Sequence, residues 1–258
     1  MIFLNIFCLF GLLLAVIAAV YAFYALFLFI CGLFVDNKRE YDDHSRFYRA
    51  LLNGVTGIII KTARIRIHTS GTENIPQNTR NLLFVSNHRS NFDPLITWYM
   101  FKKWRIAFVS KAANLKLPIF GRIIRRCCFM EIDRENPRNA MKTIQKAAGL
   151  LQKGEMSVGI YPEGTRSKEC RLLPFHAGVF KIAQKADASI VVLAVSGTEG
   201  IHKNYPFHHT DVCLDVLDII PANEIKGVKT DVLEKRVREI MEQRLNGEPI
   251  SDPCNSAV

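Results

Sequence analysis

Three hydropathy patterns follow one another along the chain. From Met1 to Val35 no side chain is charged, and only Asn5 is strongly polar. That run exceeds the roughly 20 apolar residues a bilayer span requires. Between residues 45 and 62, Leu51, Leu52, Val55, Ile58 and Ile59 recur near helical spacing, flanked by Arg46, Arg49 and Lys61. The pattern predicts a second helix that lies at the membrane interface or packs the anchor to the rest of the chain. From about residue 63, short β-prone runs alternate with helical stretches. Strands are predicted at 64–68, 82–86, 105–110, 127–132, 157–161, 190–195 and 212–219, and helices at 94–102, 137–153, 176–186 and 230–245. This alternation predicts an α/β domain: a largely parallel mixed sheet flanked by helices. The run IVVLAV is apolar on both faces, as a central strand should be, whereas VCLDVLDI alternates and suits an edge strand. The chain thus divides into residues 1–62, a membrane anchor plus interfacial helix, and residues 63–258, the α/β domain, with a frayed tail after Gly247.

Composition narrows the setting. The 258 residues suit one α/β domain plus an anchor, and 49% apolar residues are enough for a core. A retained anchor fits better than a signal peptide, because the start lacks Lys and Arg and the apolar run is too long. It is either one tilted helix or a hairpin turning near Gly11 or Gly32. Lys38, Arg39, Arg46 and Arg49 follow the anchor, which by the charge bias of membrane proteins puts the domain on the cytoplasmic face. The net charge of +10 admits nucleic acid, an anionic membrane or a phosphorylated substrate as partner. No recognition helix or RNA-stacking motif is present, and the cations are scattered. Membrane lipid is therefore the expected partner, and nucleic acid is not. The seven cysteines have no framework spacing and no Cys-x-x-Cys pair. That argues against a stapled secreted domain and a zinc site of that type, and for buried thiols. His202, His208 and His209 lack an accompanying carboxylate pattern and read as exposed loop histidines.

In open α/β sheets, functional residues gather beyond the carboxyl ends of strands. Strand 82–86 runs into Asn87-His88-Arg89-Ser90-Asn91-Phe92-Asp93-Pro94. Asp before Pro marks a helix start, with Asp as N-cap. A loop of this length can fold Asp93 back onto His88. The carboxylate would fix the ring tautomer and leave the other nitrogen to accept a proton from a hydroxyl. By itself the pair is more readily a capped helix beside a loop histidine. Ser90 as nucleophile would make a hydrolase, but the Gly-x-Ser-x-Gly elbow is absent. Strand 157–161 ends in Pro162-Glu163-Gly164-Thr165-Arg166-Ser167. Gly164 permits an unusual turn, Arg166 offers a fork for phosphate, Thr165 adds a hydroxyl, and Glu163 could orient Arg166 or bind a substrate hydroxyl. Lys111 and Arg134 sit just past two further strands. Basic and catalytic groups at the ends of four strands are not a pattern that solvated surface charge produces.

These residues resemble the glycerolipid acyltransferases, specifically the 1-acyl-sn-glycerol-3-phosphate acyltransferase family. NHRSNFD is similar to the family's NHxSxxD block at Asn87, His88, Ser90 and Asp93. KAANLKLPIFGRI with FMEIDR resembles the second block, with Lys111 ahead of it and Arg134 at its end, and EGTRS matches the third from Glu163 to Ser167. The chain departs at the fourth block, where Val192 and Leu193 stand in a neighbourhood that usually carries proline. The resemblance implies a direct reaction. His88, set by Asp93, deprotonates the free sn-2 hydroxyl of lysophosphatidate. The oxygen then attacks an acyl-CoA or acyl carrier protein thioester, making phosphatidate without an acyl-enzyme. It also implies that Lys111, Arg134, Glu163, Gly164, Thr165 and Arg166 hold the acceptor. No metal or other cofactor is implied, and the thioester is a substrate. Another lysophospholipid, an ornithine-type lipid, or lipid binding without catalysis remain alternatives.

Overall fold

The structure, a computed structural model, describes residues 2–246, with side chains from residue 8 onward. The frayed tail expected after Gly247 lies outside the described residues. Helix α1 (Ile2–Leu33) is unbroken at Gly11. Its stretch Cys8–Leu33 is long and apolar enough to cross a membrane, and residues such as Phe10, Phe23 and Leu26 are exposed along it. The chain then reverses. The Ser45 hydroxyl caps α2 (Arg46–Thr62) by accepting from the Tyr48 N–H. The two helices run antiparallel: the Tyr48 hydroxyl donates to the Cys31 carbonyl at 2.9 Å, and the Tyr24 hydroxyl lies against Gly54. The apolar run is thus one long helix, continuous through both Gly11 and Gly32, and the chain reverses only beyond it, into α2.

Helix α2 is locked to the domain as well. Arg49 is buried, donates to the carbonyls of Ile106 and Cys127, and lies 4.7 Å over the Trp98 ring. Leu52 and Ile60 of the same helix enter the core.

The remaining elements are β1 (Ile65–Ser70), β2 (Leu82–Ser86), α3 (Asp93–Met100), β3 (Ala107–Lys111), α4 (Ala112–Leu115), α5 (Phe120–Arg126), β4 (Met130–Ile132), α6 (Pro137–Gln152), β5 (Val158–Ile160), α7 (Lys181–Ala186), β6 (Ser189–Ser196), α8 (Ile201–Asn204), β7 (Thr210–Ile220), α9 (Ala222–Ile225) and α10 (Thr230–Asn246). The seven strands form one sheet in the order β1-β7-β6-β2-β5-β3-β4. Strands β2 to β6 are mutually parallel, β7 is antiparallel to β6, and β1 runs parallel to β7. Alternate side chains of the strands feed two cores, as strand geometry requires. Leu83, Val85 and Val158 pack under α6, α7 and α10, while Phe84, Phe108 and Val191 pack under α2, α3 and α5. The mixed α/β sandwich predicted from the pattern is thus observed.

Two details differ. VCLDVLDI is not an edge strand: β1 covers it. Polar side chains of β7 are paired, Asp211, just ahead of that run, with His68 at 2.8 Å, and Asp215 within it with Ser70 at 2.7 Å and Arg244 at 2.8 Å. Strand 127–132 is shorter than predicted, because α5 runs to Arg126 and Cys128 turns with φ of 67°. The thiol expectation holds for Cys127 and Cys128, which burial pushes up to about 12 and about 11. It fails for Cys213, which is disulfide-bonded.

The parallel strands deliver their carboxyl ends to one edge of the sheet. One glycine beneath that edge is required by packing. A Cβ on Gly159 would lie 2.5 Å from Cε1 of Phe108 and 2.8 Å from Ile106. Gly159→Ala should therefore lower folding stability by about 1–3 kcal/mol through overpacking. Thermal unfolding in detergent checks this, and an unchanged midpoint would contradict the packing assigned to Phe108.

Candidate active site

The site grows from one buried carboxylate. Asp93 is 0% exposed. Its Oδ2 accepts from His88 Nδ1 at 2.8 Å and from the backbone N–H groups of Arg89 at 2.6 Å and Ser90 at 2.7 Å. Its Oδ1 accepts from the Thr198 hydroxyl at 2.6 Å. A carboxylate facing Nδ1 requires the proton on Nδ1, so Nε2 carries the lone pair. Nε2 has no hydrogen-bond partner among the described residues.

Asp93 is not the N-cap expected from Asp-Pro. It is the first residue of α3, and its side chain turns back to close the preceding loop. Ser90 is buried, and its hydroxyl accepts the Phe92 N–H, so it is not presented as a nucleophile.

Neighbouring strand ends hold the loop. Asn87 stitches β2 to β6, donating to the Val195 carbonyl at 2.9 Å and accepting the Val195 N–H at 2.7 Å. The His88 ring stacks on Tyr161 with centroids 4.4 Å apart, and Tyr161 stacks in turn on Phe108 at 6.0 Å. Burial, aided by the nearby Asp93 charge, raises the Tyr161 hydroxyl well above the usual phenol range. Tyr161 thus stands as a neutral wall against the ring face.

Glu163 occupies a different place from the one predicted. It is buried. Its Oε1 accepts the His88 N–H at 2.7 Å and its Oε2 accepts the Leu173 N–H at 3.0 Å. It neither orients Arg166 nor lines the cavity. Burial pushes its carboxyl upward, and the two backbone N–H groups oppose that shift. The His88 carbonyl is itself fixed by the Ser167 N–H at 2.8 Å. Glu163 is a clamp on the backbone of the histidine.

His88 faces a cavity of about 890 Å³. Lys111, Arg134, Gly164, Thr165 and Arg166 line it, so five of the six residues predicted to hold a substrate are brought together. Burial lowers the Arg134 pKa. Gly164 turns with φ of +67°, and a Cβ there would lie 3.1 Å from the His176 ring, a conformation that favours glycine. Apolar side chains line it as well, among them Leu95, Trp98, Phe108, Phe120, Ile124 and Phe129. The cavity thus brings cations, an imidazole and an apolar lining together. That combination suits an anionic head on an acyl chain, with a hydroxyl between them.

Sequence reasoning missed Thr198, Tyr161 and His176. Thr198 had a signal: it follows β6 in the turn Ser196-Gly197-Thr198, another carboxyl strand end. His202, His208 and His209 are exposed, and no group of metal-ligating side chains occurs among the described residues.

The hydrogen bond to Thr198 should be measurable in stability. Thr198→Val leaves Asp93 Oδ1 buried and unpaired, at a cost of about 1–3 kcal/mol. Thr198→Ser keeps the hydroxyl and should recover most of that loss in thermal unfolding. Equal stability of the Val and Ser variants would contradict the role of this contact.

The Acyltransferase family profile matches residues 66–196, a segment that contains His88, Asp93, Lys111, Arg134 and the turn from Glu163 to Ser167, and ends two residues before Thr198. A chloroplastic 1-acyl-sn-glycerol-3-phosphate acyltransferase from Arabidopsis thaliana is 32% identical over 181 residues, covering 67% of this chain and 47% of the plant protein. The Escherichia coli 1-acyl-sn-glycerol-3-phosphate acyltransferase is 30% identical over 165 residues, covering 64% of this chain and 67% of that one. The chain spans 62%, 47% and 50% of the algal and plant relatives from Chlamydomonas reinhardtii, Arabidopsis thaliana and Brassica napus. Among solved structures, the fold is similar to PlsC, the 1-acyl-sn-glycerophosphate (LPA) acyltransferase from Thermotoga maritima. The TM-score is 0.61 at 22% identity, over 90% of this chain and 91% of that one. With its ordered blocks, its sheet and its matched segment in agreement, the chain belongs to the Acyltransferase family.

Proposed function

We propose that this protein transfers an acyl group from a thioester, acyl-CoA or acyl carrier protein, to the sn-2 hydroxyl of lysophosphatidate, making phosphatidate. The observation that carries the reading is the His88–Asp93 pair at the wall of a cavity that Lys111, Arg134 and Arg166 line together with many apolar side chains. The printed names of the relatives, 1-acyl-sn-glycerol-3-phosphate acyltransferases, support the choice of acceptor.

In this reading the acceptor phosphate sits on Lys111, Arg134 and Arg166, with Thr165 adding a hydroxyl, and the acyl chain runs along the apolar lining. His88 Nε2 takes the proton of the sn-2 hydroxyl as that oxygen attacks the thioester carbonyl. The new C–O bond forms, the C–S bond breaks, and the proton passes from His88 to the departing sulfur. Asp93 holds the ring and stabilises the transient imidazolium. Tyr161 and Glu163 position the histidine from the ring face and the backbone. Holding an alcohol against a thioester is mainly an entropic task, which explains why most of the site binds instead of reacting. This chemistry calls on no metal or redox group. Residues 1–62 serve as membrane anchor and residues from 63 as the catalytic domain, facing the cytoplasm by the charge bias after α1. There the site meets substrates that partition into the bilayer.

His88→Ala should lower kcat/KM for acyl transfer to lysophosphatidate by about 10²–10⁴-fold in protein that is still folded at the assay temperature. Undiminished transfer would rule out His88 as base, and free fatty acid as main product would point to hydrolysis. Arg166→Gln should raise KM for lysophosphatidate by about tenfold, the loss of one charge-assisted phosphate contact. It should change KM far less for an acceptor without a phosphate. An equal effect on both acceptors would remove Arg166 from the phosphate site.

A further inference from the structure

A second cavity, of about 420 Å³, opens at the base of α1. Its apolar wall includes Phe29 and Leu33 of α1, together with Leu117. All three are exposed, at 46%, 54% and 45%. Its polar wall carries three cations, Lys116, Arg122 and Arg125, and no Asp or Glu lines it. Arg122 gives one donor to the Gly32 carbonyl at 3.3 Å, at the end of a helix where carbonyls lack intrahelical partners. The Nε of Arg125 is buried without a hydrogen-bond partner. Neither Lys116 nor Arg125 joins an ion pair among the described residues. Three neighbouring cations repel one another unless an anion lies among them. Leu117 also lines the cavity that His88 faces, so one side chain of the α4–α5 corner borders both spaces.

We propose that this cavity is a second phospholipid site, separate from the catalytic one. The phosphate of an anionic glycerophospholipid lies on Lys116, Arg122 and Arg125, and its acyl chain runs along Phe29 and Leu33. The apolar surface continues up α1, the helix long enough to cross a membrane, so the lipid tail stays in contact with apolar side chains and bilayer. Cations beside a membrane-embedded helix are the usual recognition elements for anionic headgroups. The shared Leu117 makes the cavity a waiting place for an acceptor about to enter or a product that has left. That last role rests on the acyltransferase reading; the binding does not.

Native mass spectrometry of the full chain in detergent, titrated with phosphatidate, tests the proposal. Wild type should take up a phosphatidate beyond the one held at the catalytic cavity. Affinity for this additional lipid should fall about fivefold for each charge removed, in Lys116→Gln and Arg125→Gln. Arg125→Lys should retain it, and so should Arg166→Gln, which weakens only the catalytic site. The additional adduct should persist in His88→Ala, so a failure of the catalytic reading would leave it intact. Three outcomes overturn the proposal: an unchanged additional adduct in the Lys116→Gln/Arg125→Gln double variant, equal uptake of phosphatidylcholine, or displacement by inorganic phosphate, which would indicate a site for the free anion.

Discussion

The Asp93 carboxylate is the constraint on which the site depends. A buried charge is tolerated only when its lone pairs are satisfied. Here no Lys or Arg does that work. An imidazole, two backbone N–H groups and one hydroxyl do. Each hydrogen bond to a charged group contributes about 1.5–3 kcal/mol, so the loop from Asn87 to Asp93 has little freedom to take another shape. The Thr198 contact extends the same demand to the end of β6, and Glu163 extends it to the turn after β5 through the His88 N–H. Three strand ends are therefore set relative to one imidazole. Its face is fixed by Tyr161, which is fixed in turn by Phe108 lying over Gly159.

The cavity and the helix hairpin follow from the same architecture. The parallel strands send their cationic residues to one end of the sheet, and α2, α3 and α5 roof the apolar face beneath. Helix α2 belongs to both parts of the chain. It pairs with α1 through Tyr48 and is pinned to the domain by Arg49 over Trp98, a wall of the cavity. Leu52, Thr56 and Ile59 of α2 line that cavity, so the helix that packs on α1 also forms part of the cavity wall.

Much of this was legible in the sequence. Strand 82–86 was read at its observed bounds because five consecutive residues are buried on both sides of the sheet and turn chemistry follows at once. His88 and Asp93 were paired correctly in space, because a short loop between a strand end and a helix start leaves few closures. Other features were hidden for physical reasons. Glu163 stands beside Gly164 and Arg166, and nothing local reveals that it reaches two backbone N–H groups from distant segments. Asp93 was read as a helix cap because the local signal of Asp-Pro is strong; the long-range contact to Thr198 and the two loop N–H groups override it. Strand β7 looked like an edge because its alternating aspartates resemble a solvated face, whereas side chains of β1 and α10 pair with them.

The carboxylate of Asp93 holds the proton of the neutral His88 ring on Nδ1 and leaves Nε2 without one. Nitrogen-15 NMR of the His88 ring, recorded at a pH where the imidazole is neutral, tests it most directly. The wild type should show a protonated Nδ1 and an unprotonated Nε2, with that preference lost in Asp93→Asn. A wild-type ring carrying its proton on Nε2 would contradict it.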